Sequence, residues 1–287
     1  MNICKNWTQW LLETRFASMT PEMRQQTLNW LQIVRDNILV RANIKPNQTI
    51  IDIGTGTGLL AFKVLEDLKG TGEIIFSDKF QDCLDNCENI LKQNDVKSGY
   101  RLIQCSAENI PLEDNSVDTA LMRSVLVHIK DKQTAINEIY RILKPKGHFC
   151  AFEPIIRSNT RYWELTSPEK IRNYEKFKQA ENEFMTSEED SLCNFDEYTL
   201  AKNFEDAGFT DGTVDCDVIP SNYTATDKMV EEWFATPPSP GMPTMKDRFL
   251  NYFDEETVCN YIEDVKKELN GKFISVNTRS VYINVIK

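Results

Sequence analysis

Basic residues are in deficit: 33 lysines and arginines stand against 44 aspartates and glutamates, a net charge of −11 at pH 7. A broad nucleic-acid surface needs the opposite excess, so nucleic acid is not the expected partner, although a local basic patch is compatible with this balance. No apolar run reaches the ~18 residues that suggest a membrane span. Met1 to Trp10 also lacks the charged and apolar regions of a secretory signal. The expected location is the cytoplasm, with no membrane partner. Histidine is rare, at two residues, and no C-x-x-C occurs among the eight cysteines. A chain of 287 residues is not a small disulfide scaffold, so the thiols are expected to be reduced and structural. Cys83 and Cys87 lie four apart on an expected helix, but two thiols with so few histidines make an incomplete ligand set. No metal is expected.

A further absence decides how the glycines are read. The stretch T-I-I-D-I-G-T-G-T-G-L-L runs from Thr49 to Leu60. Ile50, Ile51 and Ile53 form a short apolar run suited to a strand buried on both faces, and Leu59 to Leu68 carries apolar residues at helical spacing. Between them Gly54, Gly56 and Gly58 let the backbone bend and let a ligand approach without meeting a Cβ. A dinucleotide fingerprint, G-x-G-x-x-G, needs glycine at 59, where Leu59 stands. The next strand, Glu73 to Ser77, ends in Asp78, twenty residues beyond Gly58. An acidic side chain there accepts hydrogen bonds from ribose hydroxyls in nucleotide-binding βαβ units, and it also suits the N-cap of a helix over 80–91.

Further strands are expected at Tyr100 to Cys105, Asp118 to Met122, Phe149 to Phe152, Thr213 to Ile219 and, at an edge, Arg279 to Lys287. This order predicts an α/β fold: a doubly wound, mostly parallel seven-stranded sheet with helical cap insertions. Ligands of such sheets lie outside the carboxyl ends of the strands, where Asp52, Asp78, Ser106, Arg123 and Glu153 fall.

The turn G-T-G-T-G behind Asp52 resembles the first motif of class I S-adenosylmethionine-dependent methyltransferases. S-A-E-N-I-P-L-E-D-N-S-V-D at 106–118 resembles the segment read G-D-A-E-x-L-P-F-x-D-x-S-F-D in small-molecule members. R-I-L-K-P-K-G-H-F at 141–149 is similar to their R-x-L-K-P-G-G turn, with Lys146 replacing a glycine, and A-G-F at 207–209 to their last core turn. By motif the resemblance covers residues 48–154 and 195–219 and points to the branch related to quinone-ring enzymes. W-L-L-E-T-R-F, R-S-V-L-V-H-I-K-D-K, F-E-P-I-I-R and P-S-P-G-M-P-T further resemble a bacterial subfamily of unknown acceptor.

The resemblance implies S-adenosyl-L-methionine as cofactor, contacts at Asp52, Gly54, Gly56, Gly58, Asp78, Lys79, Ser106, Ala107, Glu108, Met122 and Arg123, and an antiparallel final strand. Ser106 stands where the family carries aspartate, so adenine recognition falls to Ser106, to backbone groups or to Glu108. The implied activity is methyl transfer to O, N, C or S of a small molecule. His128, at the histidine of the family's V-L-x-H run, is the candidate general base, because imidazole titrates near neutral pH; a structural histidine bonded to backbone is the other reading. Arg123 either meets the cofactor carboxylate or pairs with Glu153. The competing classes are a non-catalytic cofactor-binding protein, a nicotinamide dehydrogenase, which Leu59 disfavours, and an arsenite methyltransferase, which the missing cysteine triad disfavours.

All five tryptophans, at 7, 10, 30, 163 and 233, lie outside the core strand-helix segments. Aromatic anchors let added helices pack on a core, and together these suggest a cap that excludes water over the strand ends. The expected organisation is an N-terminal helical cap at 1–45, a cofactor-binding core at 46–154, a cap insertion at 155–194, a core helix and strand at 195–220, a second insertion at 221–275 and the final strand at 276–287. Trp7, Trp10, Arg15, Glu153, Tyr162, Trp163 and Trp233 are the expected acceptor contacts. Oligomeric state stays open.

Overall fold

The structure, a computed structural model, describes residues 7–17 and 19–287; the side chains of Trp7 and Trp10 lie outside the described part. A short helix α1 (Trp7–Leu12) and a 3-10 turn (Thr14–Phe16) lead into α2 (Pro21–Ala42). Thr20 caps α2 by accepting the Met23 N–H, and Pro21 occupies the first turn, where its missing N–H has no helical partner to lose. Then follow β1 (Thr49–Ile53), α3 (Ala61–Leu68), β2 (Glu73–Asp78), α4 (Gln81–Gln93), β3 (Tyr100–Gln104), β4 (Val117–Arg123), α5 (Lys132–Ile142) and β5 (Leu143–Pro154). The rest is α6 (Tyr174–Met185), α7 (Glu197–Ala207), β6 (Asp211–Thr224), α8 (Asp227–Ala235), α9 (Met245–Leu250), α10 (Glu255–Leu269) and β7 (Phe273–Ile286). No regular helix joins β3 to β4 among the described residues; the 105–116 segment carries only an isolated bridge from Ser106 to Asn109.

The sheet has seven strands in the order β3-β2-β1-β4-β5-β7-β6. The first five are parallel, and β7 runs antiparallel to both neighbours. The final strand is antiparallel, as expected, but it is not the edge strand the sequence suggested: it is inserted between β5 and β6, and β6 forms the edge. Both of these strands are also longer than the sequence suggested, because residues 211–224 pair with 273–286 along their whole length.

The apolar run of β1 is explained by two cores. Ile50 packs beneath α2, α3 and α4 with Val34, Ile38, Val64 and Leu84, while Ile51 and Ile53 face the other side with Ala120, Phe149 and the α5 residues Ile136 and Ile139. All are buried, and each fully buried aliphatic side chain contributes about 1.5–3 kcal/mol. Trp30 sits on this frame, edge-on to Phe152 at 5.6 Å. No helix among the described residues is long and apolar enough to cross a membrane.

Candidate functional site

A cavity of about 720 Å³ opens at the carboxyl ends of β1, β2 and β4, between the sheet and the N-terminal helices. Its floor is the turn after β1. Gly54, Gly56 and Gly58 all have positive φ, at 68°, 55° and 83°, which side chains with a Cβ rarely adopt. Space enforces the same choice at Gly54, where a Cβ would stand 2.4 Å from Val125 Cγ2. Asp52 is buried at the root of the turn. Its Oδ2 accepts from Thr55 Oγ1 at 2.7 Å and from the Ala61 N–H at 3.2 Å, tying strand end to helix start. Burial pushes this carboxyl up to about 7, against the pull of those two bonds.

Asp78 stands beside the turn. Its Oδ2 accepts the Gly56 N–H at 2.8 Å and its Oδ1 the Phe80 N–H at 2.9 Å. A carboxylate has about four lone-pair positions; the Gly56 and Phe80 N–H groups, with the Lys79 N–H beside them, draw on three, and the residue lines the cavity. Burial raises its pKa, opposed by those N–H groups. Across the cavity Ser106, Ala107 and Glu108 line the wall, with Ser106 Oγ donating to Glu108 Oε2 at 2.9 Å. Lys79 is exposed at the rim.

The turn after β4 closes a third side. Ser124 takes a left-handed conformation, φ 55°, and its N–H donates to the Phe152 carbonyl at 2.8 Å. The chain then hangs on one carboxylate: Glu153 accepts the N–H groups of Val125 at 2.8 Å, Leu126 at 3.1 Å and Val127 at 3.1 Å. This holds the 3-10 turn Leu126–His128 against the cavity, which His128 lines. Burial, then Lys132 and Arg123, lower the His128 pKa to about 4, so the imidazole is neutral at physiological pH. Arg123 lines the same wall. Among the described residues it has no carboxylate within salt-bridge distance, and burial lowers its pKa while Glu153 and Asp52 oppose that. Arg15 faces it from the 3-10 turn of the N-terminal segment, lying 4.5 Å over the Phe16 ring; burial and then Arg123 push it down to about 10.

The structure therefore gathers Asp52, Gly54, Gly56, Asp78, Lys79, Ser106, Ala107, Glu108, Arg123, His128 and Arg15 on one cavity. Other expected site residues lie elsewhere. Gly58 shapes the turn without lining the space, and Met122 is wholly buried in the core. Glu153 is buried outside the lining of this cavity, and its carboxylate holds three backbone donors of the His128 turn. Tyr162 and Trp233 stack on each other at 5.9 Å beside a different cavity. Trp163 lines neither cavity; its indole N–H donates to Asn182 Oδ1 at 3.3 Å. Aromatic composition alone does not say which way an insertion folds. Sequence reasoning missed Leu11, Leu28 and Gln32 on the helical wall and Ser239, Pro240 and Met242 on the P-S-P-G-M-P loop, all of which line the large cavity. The loop was visible as a proline-rich turn, but nothing local gave its position.

The residues fit an adenosyl cofactor. A glycine turn that a Cβ would block, an acidic strand end that lines the space, and a cavity inside the ~300–1,000 Å³ range of ligand sites meet in one place. Cys83 and Cys105 also border it, yet burial raises both thiols, Cys105 to about 11, and no three metal-binding side chains gather among the described residues.

Fold and site together define a Rossmann-like α/β protein built around a nucleotide-type cavity. The chain belongs to the family described as Methyltransferase domain, which matches residues 44–225. Relatives include the ubiquinone/menaquinone biosynthesis C-methyltransferases UbiE of Xanthomonas oryzae, 31% identical over 39% of this chain and 44% of that one, and of Francisella tularensis, 25% identical over 62% and 73%. The chain thus spans less than half the length of the first curated relatives it matches. Among solved structures, YcgJ of Bacillus subtilis aligns with TM-score 0.56 at 18% identity over 89% of this chain and 98% of that one. Phosphoethanolamine N-methyltransferase 2 of Haemonchus contortus, in complex with phosphomonomethylethanolamine and S-adenosylhomocysteine, aligns with TM-score 0.53 at 17% identity over 98% and 60%. At such identities the likeness is one of fold.

Proposed function

We propose that the protein is a cytoplasmic S-adenosyl-L-methionine-dependent methyltransferase acting on a small-molecule acceptor, with nucleic acid outside its substrates. The observation that carries this reading is the convergence of the Gly54–Gly58 turn, Asp78 and His128 on one 720 Å³ cavity in a chain of this family. When bound, the cofactor supplies an activated methyl group on a sulfonium. Asp78 would accept from the ribose hydroxyls with the acceptor capacity its backbone donors leave, the glycine turn would admit the amino-acid portion, and Arg123 or Arg15 would meet its carboxylate. Ser106 and Glu108 lie where the adenine edge would be read. The N-terminal helices cover the opening and keep water from competing, so positioning and desolvation supply much of the rate. His128, neutral at physiological pH, accepts a proton from an acceptor hydroxyl or ammonium where the acceptor carries one.

The test is release of S-adenosylhomocysteine by purified protein given S-adenosylmethionine with a small-metabolite extract, bulk transfer RNA or a protein extract in parallel. Release with the metabolite fraction alone is expected. Release with a macromolecule alone would overturn the acceptor class, and no release with any fraction would favour a binding protein without turnover.

A further inference from the structure

A second cavity, about 330 Å³, lies between the 156–193 segment, the 233–248 region and the β6–β7 ribbon. One loop separates it from the cofactor cavity: Pro238 and Pro243 face the small space, while Ser239, Pro240 and Met242 face the large one. Two charged side chains of opposite sign border the small cavity with one atom each left unbonded. Glu181 is 2% exposed; its Oε1 accepts the Tyr162 N–H at 3.0 Å, the Trp163 N–H also favours the carboxylate, and its Oε2 has no hydrogen-bond partner. Arg248 is 7% exposed; its Nη1 pairs with Asp190, and its Nη2 has no partner. Arg161, a cation whose field favours the Glu181 carboxylate, spends Nη1 and Nη2 on the carbonyls of Asn159 and Arg157. Buried polar atoms without partners are unfavourable, and here both belong to side chains that line the same space.

The remaining wall is aromatic. Tyr162 and Trp233 stack at 5.9 Å with 17° between their planes, too close to admit a third ring, and Tyr223 meets Trp233 edge-on at 6.4 Å. They act as one apolar surface. The volume sits at the small end of the range for ligand sites, about 300–1,000 Å³, which suits a molecule the size of an amino acid.

We infer that this cavity binds a small zwitterion with an apolar body, its ammonium group donating to Glu181, its carboxylate accepting from Arg248, and its side chain resting on the Tyr162–Trp233 wall. Either charge alone would leave one of the two buried groups unbonded. The inference stands apart from the methyltransferase reading, because the site needs no cofactor.

Ligand-detected NMR titration of the 287-residue, cofactor-free chain tests it, with L-leucine and L-phenylalanine as probes beside phenethylamine and 3-phenylpropionate, which lack the carboxylate and the ammonium respectively. An amino acid is expected to bind, and the two single-charge analogues to bind roughly ten- to a hundredfold more weakly. Glu181→Gln and Arg248→Lys should weaken the amino acid by similar factors, with S-adenosylhomocysteine affinity unchanged as the check on folding. Absence of amino-acid binding at millimolar concentration, equal binding of the single-charge analogues, or binding that Glu181→Gln leaves intact would each overturn the assignment. The analogue series on the native protein decides the matter even where Arg248→Lys does not fold.

Discussion

Single side chains at the proposed site act through bonds that can be removed one at a time. Asp78 already accepts the backbone N–H groups of Gly56 and Phe80, with the Lys79 N–H also favouring its carboxylate. Asparagine would turn an NH₂ toward one of those donors and lose an acceptor for ribose. Asp78→Asn should therefore weaken S-adenosylhomocysteine binding by about ten- to a hundredfold, the worth of hydrogen bonds to a charged group. Unchanged affinity by calorimetry would remove Asp78 from the cofactor site. His128 is a different case, since it faces the cavity without anchoring the glycine turn. With its pKa held near 4 by burial and by Lys132 and Arg123, it stays neutral above about pH 5. Turnover should consequently show no His128-dependent fall between pH 6 and 8, and a loss only as pH drops toward 4. His128→Ala should slow turnover about 10²-fold or more if it removes the acceptor proton, with cofactor affinity kept. A rate within a few-fold of the native one would make it a structural histidine.

At the scale of elements, the turn between β4 and α5 depends on Glu153 more than on its own sequence. Three N–H groups converge on that carboxylate, and a glutamine amide would confront at least one of them with another donor. Glu153→Gln should destabilise the protein by about 1–3 kcal/mol, read as a lower melting temperature, while Glu153→Ala should cost more by leaving all three donors unbonded. A melting temperature unmoved by the glutamine variant would show that the turn holds itself. The position of Glu153 at a strand end was legible in the sequence, as were those of Asp52 and Asp78, but the direction of its side chain was not. Strand alternation near Glu153 is masked because both faces of β5 are buried. The β1, glycine turn and α3 unit was readable for a physical reason: positive φ and close approach to Val125 restrict the turn to glycine, leaving a local signature. The place of β7 between β5 and β6 left none, since an alternating strand has the same pattern at an edge or inside it. The cavity that Tyr162 and Trp233 line was illegible on the same account; the two rings come from segments about seventy residues apart.

The molecule as a whole carries buried acids whose titration runs against the usual direction. Burial raises Asp52, Glu153 and Glu181 to about 7 and raises Asp78 as well. A group with a raised folded-state pKa contributes stability that is fully present below its unfolded value, about 4 for these carboxyls, and lost as pH climbs through the folded value. His128 opposes this, because a depressed imidazole contributes above about 6.5 and loses that contribution as pH falls toward 4. Four groups act one way and one the other, so stability should decline from about pH 5 to pH 8. Carboxylates held low by arginine, such as Glu138 beside Arg141 and Asp264 beside Arg172, protonate below that window and set the acid limit. The net charge of −11 adds self-repulsion in the same direction as pH rises. The ligand-free protein should thus melt highest near pH 5 and lose on the order of a few kcal/mol by pH 8, at about 2 °C or more per kcal/mol. Because the dominant groups are buried, added salt should leave most of the slope in place. Scanning calorimetry from pH 4 to 8 decides it: a melting temperature that rises or stays flat between pH 5 and 8 would mean these carboxyls ionise in the folded protein as readily as in water, and Asp52→Asn with Glu181→Gln should otherwise flatten the slope.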